Sequence, residues 1–375
     1  MKKIIITLLG VALASFACIA QNIDIKRLPA VIQAGPEGSH HVQGICVDNE
    51  AQYIYVSFTN FLVKMDLQGN VIGRTGNLYG HLGCLEFNPE DGKVYGSLEY
   101  KDDVIGRGIA DPSAVADNYF YVAILDVDKI QGDNVDPAQV MKVVNLPQVR
   151  RDYLDTVVVD GKKLPHAFAC SGIDGMSFGP KFGKTGGKQY LTVAYGIYGD
   201  VNRTDNDYQV LSQYDISSWD KWAEPLDIKN PNTKGPEKSA GRYYVFTGNT
   251  NWGVQNLEYD PYTDCWLMAV YKGKKPQYPN YNLYVIDNSK KPVRGTLKGV
   301  PYETKPQMLL SLSDNGEHQG DIYGWRFPYG STGIHAFGNG WYYISENYKD
   351  PDGKGQASHI TLYKLYGRDN TPFCK

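Results

Sequence analysis

The hydrophobic positions of the chain fall into short runs that begin at a polar or small residue and end at a turn residue. Apolar runs of this kind, bounded by turn residues, are typical of buried strands. Five of the runs resemble one another and therefore predict the first strands of five repeated units. They are HVQGICVD (41–48), HLGCLEFN (81–88), GIDGMSFG (172–179), GVQNLEYD (253–260) and STGIHAFG (331–338).

Further strands follow each of these runs. The predicted second strands are QYIYVSF, GKVYGSLEY, KQYLTVAYG, CWLMAVY and WYYISE. The predicted third strands are FLVKMD, YFYVAILDVD, DYQVLSQYD, NLYVID and HITLYKL. Fourth strands are predicted at GNVIGRTG, QVMKVVNL, RYYVFTG and QMLLSLS.

The last unit has no fourth strand of its own, but a spare strand at 23–33 precedes the first unit. If this strand completes the last sheet, the ring closes and its edges are protected. The pattern therefore predicts an all-β chain with little helix, folded as a five-bladed β-propeller that the N-terminal strand closes. The insertion at 100–170 leaves a six-bladed propeller as the alternative.

The first twenty residues form a separate segment. Two lysines precede an apolar stretch, 4–20, that ends in small residues and is short for a membrane span. This pattern predicts a signal peptide over 1–20, with acylation of Cys18 in a lipoprotein as the alternative. No later segment is long and apolar enough to span a bilayer. We expect an exported protein, in the periplasm, at the cell surface or outside the cell, with 21–375 forming a single propeller domain.

Composition narrows the function classes. The formal net charge is -3, from 38 basic and 41 acidic residues, which argues against nucleic acid as a partner. The chain has 40 glycines and 29 tyrosines, as expected for short strands joined by many turns. Five cysteines lie beyond the signal peptide, none in a zinc-binding spacing. We expect them to be structural, with a Cys84–Cys170 disulfide as an open alternative.

The strand order predicts one functional face. The start of each first strand and the end of each second strand meet at the same end of the blade, around the central mouth. The opposite face consists mostly of tight turns such as NPEDGK and YDPYTD. The candidate catalytic residues at the mouth are His41, His81, Asp174 and Glu99. The candidate substrate-binding residues are His40, Gln43, Lys101, Tyr198, Arg203, Trp252, Gln255, Trp325, Arg326 and Glu346. Tyr271 falls on the same face, at the end of a second strand.

These residue types suit a glycan. Aromatic side chains such as Tyr198, Trp252 and Trp325 would stack on sugar rings, and Lys101, Arg203 and Arg326 would bind acidic groups. Hydrolysis would need two carboxylates beside the bond, with Asp174 and either Glu99 or Glu346 as candidates. Elimination by a lyase would need a base and a proton donor, with His41, His81 and a mouth tyrosine as candidates. Only one first strand starts with an acid, which favours the histidine-centred chemistry. Glu86 and Glu258 occupy equivalent positions in their strands and are expected to be buried partners between blades.

Metal and nucleophile motifs are weak. DVNRTDND (200–207) has oxygen ligands at alternate positions but lacks the glycine and the final glutamate of an EF-hand. No cofactor is predicted, and calcium is kept as a minor alternative. The chain contains no GxSxG nucleophile elbow and no HExxH or P-loop motif.

Several stretches, spread over most of the chain after the signal peptide, resemble those of a known protein family. They are GHLGCLEFNPEDGKVYGSLEYKDD, CSGIDG, AYGIYGD, TDNDYQV, QNLEYDPYTD and GWRFPYGSTG. With them the chain resembles a family of exported β-propeller proteins of Bacteroides-type gut bacteria. The resemblance implies the fold and export but no activity. In architecture the chain is also similar to glycan-active propellers, among them five-bladed glycosidases and propeller lyases.

Three functions follow as hypotheses. The first is an exported lyase or glycoside hydrolase that acts on an acidic oligosaccharide or polysaccharide at the mouth. The second is a non-catalytic propeller that binds a carbohydrate, another small molecule or a protein there. The third is a calcium-dependent lactonase or phosphoesterase. The sequence leaves the oligomeric state open.

Overall fold

The computed structural model describes residues 23–113, 117–368 and 370–375. The predicted signal peptide and Cys18 lie outside these ranges. The described strands form a five-bladed β-propeller, as the repeat pattern predicts. In each blade the first strand lies innermost and its neighbours follow outward.

Blades 1 and 2 each contain the four predicted antiparallel strands plus one added strand at the outer edge. Blade 1 consists of Val42–Val47, Tyr53–Phe58, Phe61–Asp66 and Val71–Thr75, with Gly132–Val135 added in parallel. Blade 2 consists of His81–Asn88, Lys93–Tyr100, Tyr119–Leu125 and Met141–Asn145, with Glu224–Pro225 added. The insertion at 100–170 thus completes blades 1 and 2, and the six-bladed alternative is wrong.

The segment QMLLSLS, which was predicted to be the fourth strand of the fourth unit, pairs with both blade 3 and blade 4. Blade 3 consists of Cys170–Pro180, Gln189–Ile197, Tyr208–Tyr214 and Gly241–Phe246, extended by Gln307–Leu310 and Val293–Gly295. Blade 4 consists of Thr250–Asp260, Cys265–Lys272 and Leu283–Asp287. The prediction for QMLLSLS is therefore wrong in part. Its first residues pair with blade 3, because the connection after Asp287 crosses there first, and its last residues, 311–313, pair with 285–287 of blade 4.

Blade 5 confirms the predicted closure. Its strands are Ile334–Ala336, Trp341–Lys349 and Gln356–Arg368, and Val31–Ala34 from the N-terminus pairs with the last of them. Thr371–Cys374 pairs farther along the same edge. Both ends of the chain thus cover the outer edge of one blade.

Helices are short and lie in the connections. The α-helices are Val104–Ile109, Pro137–Val140 and Pro147–Leu154, and the 3-10 helices are Ile25–Arg27, Val127–Lys129, Ala167–Ala169 and Trp219–Lys221. Two small hairpins pair Thr156–Val159 with Lys162–Pro165 and Glu317–Gln319 with Ile322–Gly324. Among the described residues, no helix has the length and apolar character needed to cross a bilayer.

The innermost strands pack closely around the axis. A Cβ at Gly44 would lie 2.7 Å from Cα of Cys84 in the next blade, so only glycine fits there. The first strands of blades 1 to 4 also contain register shifts near their starts. Such bulges turn side chains away from the regular alternation and often adjoin functional sites.

The five described cysteines are all free. The thiol of Cys84 lies 3.3 Å from the carbonyl oxygen of Met176, and the thiol of Cys170 lies 3.7 Å from that of Gly172. The Cys84–Cys170 disulfide is therefore not formed, because each thiol is engaged with backbone of its own surroundings.

Candidate functional site

Three predicted residues from two blades meet at the mouth. His81 begins the first strand of blade 2 and lies directly opposite Glu99 of the second strand. Asp174 lies in the first strand of blade 3, within a register shift that turns it out of the regular ladder. One ligand atom from each side chain lies within 4.8 Å of the other two. Neighbouring blades thus bring an imidazole and two carboxyl groups together.

Lys101 supplies a buried positive charge beside this group. Its ammonium lies 2.7 Å from Oε2 of Glu99 and donates to the carbonyl oxygen of Ser171 at 2.8 Å. The side chains of Lys101 and Glu99 are only 8% and 2% exposed, so water screens the pair poorly. The other oxygen of Glu99 accepts from the backbone N–H of Ile173. Glu99 is therefore fully engaged as the partner of Lys101.

Gly172 makes this arrangement possible. Its φ of 123° lies in the region that favours glycine, and a Cβ there would overlap Oε1 of Glu99. The carboxylate can approach the backbone of Ile173 only because residue 172 has no side chain.

Asp174 and His81 are the least buried members of the group, with side chains 13% and 16% exposed. Oδ2 of Asp174 accepts from Gln255 of blade 4 at 2.9 Å, and Oδ1 lies 3.8 Å from Nδ1 of His81. Burial, and then the charge of Glu99, raises the pKa of Asp174 well above its usual range. Burial, and then the charge of Lys101, lowers the pKa of His81 to about 3. His81 is therefore neutral near pH 7, and burial favours the protonated form of Asp174.

An aromatic wall borders the group on the blade 3 side. The hydroxyl of Tyr198 lies 3.4 Å from Oδ2 of Asp103, which itself lies 3.9 Å from the ammonium of Lys101. The rings of Tyr198 and Trp252 meet edge to face at 5.5 Å. Trp252 has a φ of 67°, a rare conformation for a large residue and one that is found at binding sites. Both half-buried rings remain available to a ligand at the mouth.

A cavity of about 410 Å³ opens between blades 1, 4 and 5. His41, Tyr271 and Lys349 are among its lining residues. Burial, and then the charge of Asp174, raises the pKa of Tyr271 to about 12. Burial, and then His40, lowers the pKa of His41. His41 and His40 both contribute to the lowered pKa of His81, so the histidines of blades 1 and 2 interact across the mouth.

Several predicted binding residues do not join this group. Trp325 is 5% exposed and belongs to the core between blades 4 and 5. Gln43 is buried and donates to the hydroxyl of Thr59 at 3.2 Å. Glu346 accepts from the hydroxyl of Tyr363 and pairs with Lys375 at 2.8 Å. These side chains serve packing and local bonding because their blades bury them or turn them outward.

The two predicted arginines are also engaged elsewhere. Arg203 is 5% exposed and donates to Asp205 and to the carbonyl oxygen of His166. Arg326 is exposed, pairs with Glu317 and lies 5.1 Å from the centre of the Tyr281 ring. The predicted role of both in neutralising a uronate at the mouth is not supported by these positions.

Glu86 and Glu258 are hydrogen-bonded to each other inside the ring, one from blade 2 and one from blade 4. The carboxyl group of Glu258 also accepts from the backbone N–H of Ala336 in blade 5 at 2.6 Å. Burial raises the pKa of both, to about 8 for Glu86. The pair links three blades as a protonated structural contact, in line with the interpretation from sequence.

The acidic groups have protein cations as partners. A divalent ion at His81, Glu99 and Asp174 would have to displace the ammonium of Lys101, which already neutralises Glu99. In the 200–207 loop, Asp205 pairs with Arg203 at 2.8 Å and Asp207 pairs with Lys275 at 2.5 Å. The donor chemistry of neither place suits a calcium ion well.

Some residues at the mouth had no signal in the repeat pattern. Tyr153 and His166 come from the connection between blades 2 and 3, and the His166 ring lies 4.5 Å from Tyr153 and 5.3 Å from Tyr198. Lys349 lies at the end of a second strand, the position that places other mouth residues. Strand periodicity could have identified Lys349, whereas an insertion outside the repeat carries no such signal.

Comparisons with known proteins show no family for this chain. No family model and no curated protein matches the chain. The propeller of Dos1 is 10% identical, with a TM-score of 0.31, over 89% of this chain and 81% of that one. A luciferin-regenerating enzyme is 11% identical, with a TM-score of 0.35, over 90% of this chain and 97% of its own. The computationally designed Ika4 protein is 10% identical, with a TM-score of 0.22, over 67% and 92%.

Proposed function

We propose that the protein is an exported enzyme that cleaves an acidic polysaccharide at the mouth of the propeller by β-elimination. The observation that supports this is a cavity whose wall carries the imidazole of His41 and the phenol of Tyr271, and the charge of the buried Asp174 acts on that phenol. His41 and Tyr271 are neutral near pH 7, and burial favours the neutral form of Asp174. One can therefore accept a proton while another donates one.

The proposed roles follow from these protonation states. His41 takes the proton from the carbon beside the uronate carboxyl group. The C–O bond to the leaving sugar breaks, and the electron pair of the C–H bond becomes the new C=C bond. Tyr271 gives its proton to the leaving oxygen. One proton is taken and one is given, so the enzyme returns to its starting state after His41 and Tyr271 exchange protons with water.

Asp174 is proposed to bind the substrate carboxylate. Its protonated carboxyl group can donate a short hydrogen bond to that carboxylate, which makes the neighbouring C–H more acidic. Gln255 and His81 hold Asp174 in position. Lys349 at the cavity wall adds a positive charge that attracts an anionic chain.

Hydrolysis by two carboxyl groups is less consistent with the geometry. Retaining and inverting glycosidases need two free carboxyl groups, about 5 to 10 Å apart. Glu99 and Asp174 are close enough, but both oxygens of Glu99 are engaged by Lys101 and Ile173. Glu99 is also only 2% exposed, so it cannot reach a sugar.

The test is turnover of uronate-containing polysaccharides, followed by the ultraviolet absorbance of the unsaturated product. Tyr271→Phe removes only the hydroxyl group and is expected to lower kcat by about 10²- to 10⁴-fold. Asp174→Asn keeps a hydrogen-bond donor and is expected to raise KM more than it lowers kcat. Tyr262→Phe, at a position 62% exposed and outside the cavity lining, is the matched control and keeps full activity.

Three other outcomes of this assay would contradict the proposal and favour a different function. New reducing ends without absorbance would indicate a glycoside hydrolase. Saturable binding of an oligosaccharide without turnover would indicate a binding propeller. Activity on lactones or phosphoesters that disappears with a chelator would indicate the calcium-dependent alternative.

A further inference from the structure

A second and larger cavity shares no lining residue with the cavity at the mouth. It has a volume of about 760 Å³ and is formed by blade 2, by the helix Pro147–Leu154 and by the loop around 233–237. Small-molecule sites in proteins occupy about 300–1,000 Å³, so the cavity is large enough for several sugar units. The proposed chemistry at the mouth uses none of its residues.

Ion pairs hold the charged groups of this cavity in place. Arg150 pairs with both oxygens of Asp117 at 3.0 and 2.9 Å, and its guanidinium lies 5.6 Å from the centre of the Tyr119 ring. Arg151 pairs with Glu237 at 2.9 Å. Because Asp117 and Tyr119 hold the Arg150 side chain, its remaining donors are oriented before any ligand arrives.

Asn145 adds a buried acceptor to the lining. It is 4% exposed, and its side-chain N–H donates to the carbonyl oxygen of Thr233 at 3.1 Å. Its Oδ1 has no hydrogen-bond partner among the residues that the structure describes. A buried carbonyl oxygen without a donor costs about 1–3 kcal/mol. If the cavity wall opened enough to expose this oxygen, a ligand hydroxyl group could donate to it and recover that energy.

From these observations we infer that the cavity is a second binding site for a neutral oligosaccharide. Two arginines and three acidic residues line it, so it lacks the positive excess that a phosphate or a uronate would need. Pro147 and Leu154 are the only aliphatic residues of the lining, which is too little for a lipid. Sugar hydroxyl groups both donate and accept, and they match a wall of paired arginines, carboxylates and an amide oxygen. This inference stands whether or not the mouth is catalytic.

The test uses the full chain after signal removal, with cellopentaose and maltopentaose as neutral probes and a pentagalacturonate as the acidic probe. Leu154→Trp fills the cavity from a position that is 50% exposed, so folding should be unaffected. Val158→Trp is the matched control, since Val158 is 51% exposed but does not line the cavity. Binding is followed by amide chemical shifts in NMR spectra.

At least one neutral probe is expected to bind with a Kd of about 1 mM or tighter and to shift amides of 145–155 and 233–237. The shifts should disappear in Leu154→Trp and persist in Val158→Trp and in Asp174→Asn. Binding of the acidic probe alone, shifts confined to the mouth, or no binding of any probe would each overturn the inference. Loss of the second site with normal turnover at the mouth would leave the proposed function intact.

Discussion

Replacing Lys101 by methionine tests whether burial gives the cluster at the mouth its electrostatic strength. The ammonium and the Glu99 carboxylate are 2.7 Å apart, which corresponds to about 6 kcal/mol of attraction at an effective dielectric constant of 20. Removing one partner of a buried pair costs about 3–5 kcal/mol, since the other charge remains buried and unpaired. Lys101→Met should therefore lower the free energy of unfolding by about that amount.

An exposed pair at the same distance provides the control. Lys129 and Asp126 are also 2.7 Å apart, but their side chains are 63% and 36% exposed. Lys129→Met should cost at most about 1 kcal/mol. Urea unfolding at constant pH measures both variants, and the double variant Lys101→Met/Glu99→Gln should recover part of the loss. If both lysine variants lost the same stability, the argument from burial would be refuted.

Two further predictions concern the interior. Burial raises the pKa of Glu86 to about 8. The native state therefore holds a proton that the unfolded chain releases above about pH 4.5, and this contribution to stability is lost as the pH rises from about 4.5 to about 8. Glu86→Gln should make the free energy of unfolding depend less on pH and should raise it by up to about 3 kcal/mol at pH 7, as measured by urea unfolding. The exposed control Glu90→Gln should do neither. Parallel pH profiles for Glu86→Gln and the parent protein would contradict this prediction. Gly172→Ala should lower the free energy of unfolding by at least about 3 kcal/mol, because it strains the backbone and displaces Glu99. Gly92→Ala should lower it by about 1 kcal/mol in the same assay, because no atom lies near the added Cβ. Equal losses for the two glycines would show that the Glu99 contact is unimportant.

Much of the fold could be predicted from local sequence patterns. The alternation of side chains along a strand is a property of the backbone, so the repeated registers ending in Val47, Phe87 and Phe178 marked the innermost strands without tertiary information. The unpaired strand before the first unit and the unit without a fourth strand together predicted the closure, which Val31–Ala34 provides. The QMLLSLS segment was assigned incorrectly because nothing local says which outer edge a strand will join.

Only part of the candidate site could be predicted from the sequence. Strand order placed His81, Glu99 and Asp174 at one face, and the structure brings them within 4.8 Å of one another. The same reasoning placed Trp325 at that face, where the fold buries it in a core instead. Direction along a strand tells which end of a blade a residue occupies, but bulges and connections decide where its side chain points.

The sequence by itself determined the innermost strands, the closing strand and the face on which chemistry-bearing residues collect, because these follow from the repeated strand pattern and from strand direction. Only the structure excluded a sixth blade. Only the tertiary structure decided the protonation states of His81 and Asp174, the buried pairing of Lys101 with Glu99, and the cavity shared by His41 and Tyr271. These depend on burial and on distances between residues far apart in the chain, and both come into existence only when the blades pack around one axis.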